Sequence, residues 1–184
     1  LDAIRPVFML GEVQQSVHHR AAFDATYGWD WHHTSNRIAR GEADATALFG
    51  YYAENESLWP REAMRMAYIE NHDSNAWEGT MAENYGAALE AMTALSFTHE
   101  GLPLIHNGME ACNAKRLEFF EKDPIDWSQG ADCAYGTLLA DLIAFRDANP
   151  ALANGRWGAR MHQVVNDRPQ QLFAFVRQQD GNKV

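Results

Sequence analysis

Short, mostly apolar segments recur along this chain, each followed by polar residues. The four candidate strands are residues 6–10, residues 25–31, residues 64–69 and residues 103–106. Residues 6–10 form a continuous apolar run, which is typical of a strand buried on both faces, as in a parallel sheet. The second run is the weakest of the four because its apolar pattern is interrupted.

Between and after these runs, apolar residues recur three and four positions apart, which predicts amphipathic helices. The predicted helices are residues 43–58, residues 82–97 and residues 132–149. Strands that alternate with helices indicate βαβ units and a parallel sheet. The pattern supplies about four such units, whereas a complete eightfold barrel needs ~250 residues.

The pattern changes after Pro150. Residues 161–165 and residues 172–177 read as two strands of an antiparallel hairpin. We therefore predict two parts: residues 1–153 in an α/β unit, and residues 154–184 at the beginning of a β-rich domain. Because the first apolar run starts without a polar lead-in and the last strand ends in a hairpin, we expect both ends to lie inside domains.

Composition narrows the classes of partner. The chain has 184 residues, 46% of them hydrophobic, and its formal net charge is −10. This charge argues against nucleic acid and anionic membranes as partners, and leaves neutral ligands such as sugars open. We find no apolar run of membrane length and no signal-peptide layout, so cytoplasmic, periplasmic and secreted locations all stay open.

Two cysteines, Cys112 and Cys133, are present. They could pair if the protein is exported, but we favour two buried thiols that do not meet.

Acidic residues follow three of the candidate strands: Glu12, Asp73 and Glu110. The carboxyl ends of parallel strands form the usual site of α/β proteins, so these residues and His72 are expected on one rim. Position alone is equally consistent with helix capping for Glu12 and Asp73, and it favours capping for Glu110.

Two histidine pairs raise the question of a metal site. His18 and His19 are adjacent in sequence, as are His32 and His33. Adjacent residues on a helix do not face each other, and no tetrahedral ligand spacing follows. We predict surface or core histidines and no metal ligand.

Four segments resemble, in order, motifs of the α-amylase superfamily (glycoside hydrolase family 13). Gly11-Glu12-Val13 is similar to the motif that ends strand five of its barrel, and Asn71-His72-Asp73 to the motif that ends strand seven. Residues 101–110 resemble its strand-eight segment, and residues 115–127 resemble the loop that follows in several bacterial members.

The resemblance implies an α/β fold: the second half, about strands 5–8, of a (β/α)8 TIM barrel, followed by the start of an all-β domain. It also implies a retaining glycoside hydrolase or transglycosidase acting on α-glucosidic bonds of α-glucans or maltooligosaccharides. In that family Glu12 would be the general acid/base, Asp73 would stabilise the transition state, and His72 and Asn71 would bind the sugar. Trp77 would either stack on a sugar ring or pack within its loop.

Departures from the family pattern qualify these expectations. The nucleophilic aspartate and its neighbouring arginine would precede Leu1, and Gln14 stands where members often have tryptophan. Residues 74–77 lack the arginine often found there. We therefore expect this chain alone to be inactive. We also expect the missing barrel half, or self-association, to cover the open sheet.

No cofactor is expected, and any structural calcium would belong to the missing half. The alternative function is a non-catalytic carbohydrate-binding or interaction scaffold derived from the same barrel.

Overall fold

The computed structural model describes residue 5, residues 7–128 and residues 130–184. Four parallel strands form one sheet in chain order: β1 (Leu10–Gly11), β2 (Ala25–Tyr27), β3 (Met64–Tyr68) and β4 (Leu102–Leu104). The predicted parallel sheet is confirmed. Pro6, where the first predicted strand begins, lies outside the described residues.

The strand register brings the carboxyl ends of the strands to one edge. Leu10 lies opposite Ala25, Tyr27 opposite Met66, and Tyr68 opposite Leu104. The first strand is shorter than predicted, because only its last residues pair in a regular ladder. The preceding backbone still joins β2, since the Met9 carbonyl accepts hydrogen bonds from the amides of Asp24 and Ala25.

The described residues include five α-helices. They are α1 (Trp29–Ala39), α2 (Thr46–Leu58), α3 (Met81–Tyr85), α4 (Leu89–Thr98) and α5 (Ala134–Ala148). Short 3₁₀ turns lie at Ser16–Arg20, Gly86–Ala88, Met109–Ala111, Gly130–Asp132, Pro150–Leu152 and Gly155–Trp157. The predicted helices over residues 43–58 and 132–149 are confirmed as α2 and α5.

Helix α1 was not predicted, and the strand proposed for residues 25–31 is wrong beyond Tyr27. The reason is the face that α1 turns to the core, which includes the polar residues His32, Ser35 and Asn36. Two of these groups are paired: the Ser35 hydroxyl lies 3.0 Å from the Tyr85 hydroxyl, and Nε2 of His32 lies 3.2 Å from a Glu78 oxygen. Four of the eleven residues of α1 are apolar, so the segment lacks the recurring apolar positions by which the other helices were predicted.

The single helix predicted for residues 82–97 is broken into α3 and α4. Gly86 separates them at φ +48°, a left-handed conformation that favours glycine. Upstream, Thr80 and Glu83 form a reciprocal capping box that starts α3.

Alternate residues of β3 enter two different cores. Ala67 belongs to the larger core, which packs against the helices, whereas Met66 and Tyr68 form a smaller cluster with Tyr27 on the opposite face. Two-sided burial explains why this strand is mostly apolar; its one charged residue, Arg65, is buried and pairs with Asp30.

A small antiparallel sheet follows, made of β5 (Met161–Gln163), β6 (Phe175–Gln179) and β7 (Asn182–Lys183). The predicted hairpin is confirmed, with Met161 opposite Arg177. Arg177 is buried and joins this sheet to the α/β unit by donating hydrogen bonds to the carbonyls of Ala153, Thr98, His99 and Ala159. Burial lowers the pKa of its guanidinium to about 10.

Cys112 and Cys133 form a disulfide, with their Cα atoms 5.6 Å apart. The prediction of two thiols that do not meet is therefore wrong. The pairing follows from close packing of α5 on the turn after β4: any side chain at Gly136 would collide with the Glu110 carbonyl. Sequence spacing carries no information about this approach. No helix in the described part of the chain is long and apolar enough to cross a membrane.

Candidate active site at the strand ends

Glu12, His72 and Asp73 form one cluster, called here the site cluster. Each offers an oxygen or nitrogen atom that lies within 4.8 Å of the other two. Glu12 directly follows β1, and the other two follow β3, so only β2 separates their strands. The prediction that Glu12 and Asp73 share one rim is confirmed.

Asn71 shapes the turn that presents the site cluster. Its side-chain oxygen accepts a hydrogen bond from the Ser74 backbone amide at 2.8 Å, and its backbone amide donates to the Ser74 hydroxyl at 2.9 Å. Asn71 is buried, and its side-chain nitrogen has no partner among the described residues. Asn71 therefore fixes the conformation of the turn that carries His72 and Asp73.

Asp73 is free of the capping role considered from its sequence position. It precedes one π-helical turn, Ser74–Glu78, without a side-chain bond to that turn. Its carboxylate is 38% exposed and lies 3.6 Å from Nε2 of His72. Glu110, by contrast, accepts a hydrogen bond from the Gly108 amide at 2.9 Å, which is a local structural role.

Two tyrosine side chains lie near the carboxylates of Glu12 and Asp73. Tyr27 and Tyr68 are buried and meet edge to face, with ring centroids 6.1 Å apart. Burial raises the pKa of Tyr27, and the negative charges of Glu12 and Asp73 raise it further. The Tyr27 phenol therefore stays protonated near the two carboxylates.

A buried glutamate, Glu70, connects the rim to two neighbouring elements. Glu70, at the end of β3, accepts hydrogen bonds from Nδ1 of His106 at 3.1 Å and from the Met81 amide at 2.8 Å. It thereby links the end of β3 to the residues after β4 and to the start of α3. Sequence analysis did not identify this pair, because nothing in the spacing of the two residues indicates their contact.

The histidine pairs have structural roles. His32 is buried, stacks on Tyr68 with centroids 4.6 Å apart, and lies 3.2 Å from a Glu78 oxygen. This hydrogen bond is the main reason that the pKa of Glu78 is lowered. His19 bonds the Thr26 hydroxyl at 2.8 Å. Within the described residues neither pair contributes to a group that could hold a metal, whereas the spacing of the site cluster would admit a cation.

Trp77 lies at the same rim and is 61% exposed, so it does not pack within its loop as a core residue would. It contacts Phe119 and Phe120, at centroid distances of 5.3 and 6.3 Å. Phe119 also stacks on His72 at 5.7 Å. Sequence analysis missed both phenylalanines; the available signal was two adjacent aromatic residues within an otherwise polar loop.

No protein-family model matches the sequence, and no curated protein matches it. Solved structures do match. A noncanonic maltogenic α-amylase from Thermotoga neapolitana superposes with a TM-score of 0.83 and 21% identity, over 97% of this chain and 40% of that one. A cyclomaltodextrinase superposes with a TM-score of 0.75 and 18% identity, over 94% of this chain and 30% of that one.

A debranching enzyme from Nostoc punctiforme gives a TM-score of 0.72 at 17% identity, over 97% of this chain and 40% of the other. The chain thus spans well under half of each of these structures. At such identities the likeness is one of fold. The chain has the fold of part of an α-amylase-type TIM-barrel enzyme.

Proposed function

We propose that this chain is the second half of the catalytic barrel of an α-amylase-superfamily enzyme that cleaves or transfers α-glucosidic bonds of α-glucans or maltooligosaccharides by a retaining mechanism. The convergence of Glu12, His72 and Asp73 at the strand ends carries the proposal. The fold shared with a maltogenic α-amylase, a cyclomaltodextrinase and a debranching enzyme supports it.

Glu12 is proposed as the general acid/base. A retaining glycosidase needs one carboxyl group that protonates the departing oxygen and later takes a proton from water. Glu12 is solvent-accessible at the rim, so it can exchange protons with both substrate and water. Glu110 cannot serve in its place while it holds the Gly108 amide.

Asp73 is proposed to bind the sugar hydroxyls and stabilise the positive charge that develops on the sugar ring. Its partly exposed carboxylate, without a capping bond to the following turn, is available for that contact. His72, exposed beside it, would bind the same sugar, while Asn71 fixes the turn that carries them both.

The nucleophile is proposed to come from the rest of the barrel. In the described residues, Glu12 and Asp73 are the two carboxylates of the site cluster, and both already have roles. Without a nucleophile no covalent intermediate forms, so the chain alone is expected not to turn over. Residues 1–153 would form the half-barrel and residues 154–184 the start of a β-rich domain.

The other half of the barrel would also cover apolar surface. Phe8 is 60% exposed, and Leu10, which begins β1, is 45% exposed. In a closed barrel such residues fill the interior layers. Pairing with the remaining half, or failing that with a second copy, would bury them.

Hydrolysis of maltoheptaose by the full-length protein tests the proposal. Glu12→Gln and Asp73→Asn should each lower kcat/KM by ~10²–10⁴-fold, because each removes a charge or proton needed in the transition state. Glu110→Gln is the matched control, a glutamate on the same rim with a local structural bond, and should retain most activity.

Hydrolysis that survives both site substitutions would refute the assignment. Binding of maltoheptaose without any hydrolysis would instead favour the non-catalytic scaffold, the second candidate function. Two accessible carboxylates brought together at the strand ends weigh against that candidate.

A further inference from the structure

We propose that Trp77, Phe119 and Phe120, the aromatic platform, bind a further glucose unit of an extended α-glucan beside the site cluster. The inference rests on the proposed function and extends it to substrate length. It predicts that the platform favours long chains over short ones.

Two of the three rings of the platform are largely exposed. Phe120 is 82% exposed and Trp77 61% exposed, and the two phenylalanine rings meet edge to face at 4.7 Å. Three mutually contacting aromatic rings with two of them largely in water contribute little to the core. Apolar surface of this kind is typical of a binding site.

The surroundings of the platform suit a sugar. A cleft of about 310 Å³ runs along it, lined also by Arg116, Glu118 and Glu121. A pyranose presents flat C–H faces to aromatic rings and hydroxyls at its edge to charged groups. Aromatic walls with a few polar groups therefore match a neutral, hydroxylated ligand better than an ion or a lipid.

The loop that carries the phenylalanines is held in place by Asn75. This side chain is fully buried; its oxygen accepts from the Leu117 amide at 2.8 Å, and its nitrogen donates to the Lys115 carbonyl at 3.2 Å. Asp123 adds a second anchor through the Glu118 amide at 3.0 Å and the Lys115 ammonium. A loop fixed before the ligand arrives loses less entropy on binding.

Two further links tie the same loop to the α/β unit. Arg116 pairs with Glu83 at 3.0 Å, and this hydrogen bond is the main reason that the pKa of Glu83 falls to about 2. The disulfide between Cys112 and Cys133 closes the segment at its two ends. The platform is therefore a built surface rather than a loose loop.

The platform is continuous with the site cluster. Phe119 stacks on His72, and His72 lies 3.6 Å from Asp73. A glucan chain with one unit held at Asp73 can thus rest a neighbouring part on Trp77 and Phe120. Shorter substrates that end at Asp73 would not reach them.

Calorimetric titration with maltoheptaose tests the platform in full-length protein that carries Glu12→Gln to suppress hydrolysis, with Trp77→Ala and Phe120→Ala as added substitutions. Each should weaken binding of maltoheptaose by about tenfold, because a stacking face is lost. Trp157→Ala is the matched control: Trp157 is 58% exposed but lies elsewhere, on the cation of Arg156. It should bind as the protein with Glu12→Gln alone does, and thermal unfolding should show all variants folded.

The outcomes separate the platform from the proposed function. Maltoheptaose binding that is unaffected by Trp77→Ala and Phe120→Ala, or no binding at all, overturns the platform. If Glu12-dependent hydrolysis persists in that case, the proposed function stands alone. If binding depends on Trp77 while Glu12→Gln has no effect on hydrolysis, the platform stands and the proposed function falls.

Discussion

His99 is the buried residue with the clearest consequence for stability against pH. It stacks on Trp31 with centroids 5.2 Å apart, and neither ring nitrogen has a hydrogen-bond partner within the described part of the chain. Burial holds its pKa well below 6.5, and the charges of Arg177 and Arg146 lower it further. The folded protein therefore keeps this imidazole neutral.

The sign of the pH effect follows from proton binding. Below pH ~6.5 the unfolded chain protonates His99 and the folded chain does not, so acid favours unfolding. We predict that His99→Phe, which keeps the stack on Trp31 and removes two unpaired nitrogens, raises the free energy of unfolding by ~1–2 kcal/mol.

The same substitution should reduce the loss of stability between pH 6.5 and 5, measured by denaturant unfolding at several pH values. His162→Phe, at an exposed position, is the control and should leave that slope unchanged. A His99→Phe protein with the slope of the unaltered chain would show that another group carries the acid sensitivity.

Single site residues could be predicted from the sequence where they lie just after a strand. Glu12 and Asp73 could be placed on one rim because parallel strands share an edge, and the structure confirms it. Phe119 could not be found in this way. Its contact with His72 depends on a loop path fixed by Asn75, and no local pattern encodes contacts across some forty residues.

Among the elements, the segment between Cys112 and Cys133 depends most on a single covalent link. The two cysteines are 21 residues apart, and closing a loop of this length stabilises the fold by ~3 kcal/mol through the unfolded state. We predict that the double variant Cys112→Ser, Cys133→Ser loses about this much free energy of unfolding.

Reductant provides the internal control for the disulfide. Reduction should bring the unaltered protein to the stability of the double variant and leave the variant itself unaffected. Unfolding curves of the unaltered protein that do not respond to reductant would contradict the prediction.

Helix prediction succeeded where apolar residues recur throughout the segment and failed where they are few. Helices α2 and α5 follow from their spacing and from Pro60 and Pro150 after them. Helix α1 was missed because buried polar groups, such as His32 bonded to Glu78, occupy its inner face. The pairing of such groups is settled by tertiary contacts, which a sequence period does not report.

In the whole molecule, Arg177 joins the antiparallel sheet to the α/β unit by donating hydrogen bonds to the carbonyls of Thr98 and His99. Phe8, which precedes β1, and Leu10, which begins it, are exposed, and the proposed remaining half of the barrel would cover them. The proposed nucleophile would come from that half. Catalytic activity therefore has to be measured on the full-length protein.

The most direct measurement compares two substrates with full-length Glu12→Gln: an unactivated maltooligosaccharide and a 4-nitrophenyl α-maltooligosaccharide. If Glu12 protonates the departing oxygen, the first substrate should lose ~10²–10⁴-fold in kcat/KM. The nitrophenyl substrate should lose far less in its first step, because its leaving group departs almost without protonation. Equal losses on both substrates would contradict the account and assign Glu12 a structural role.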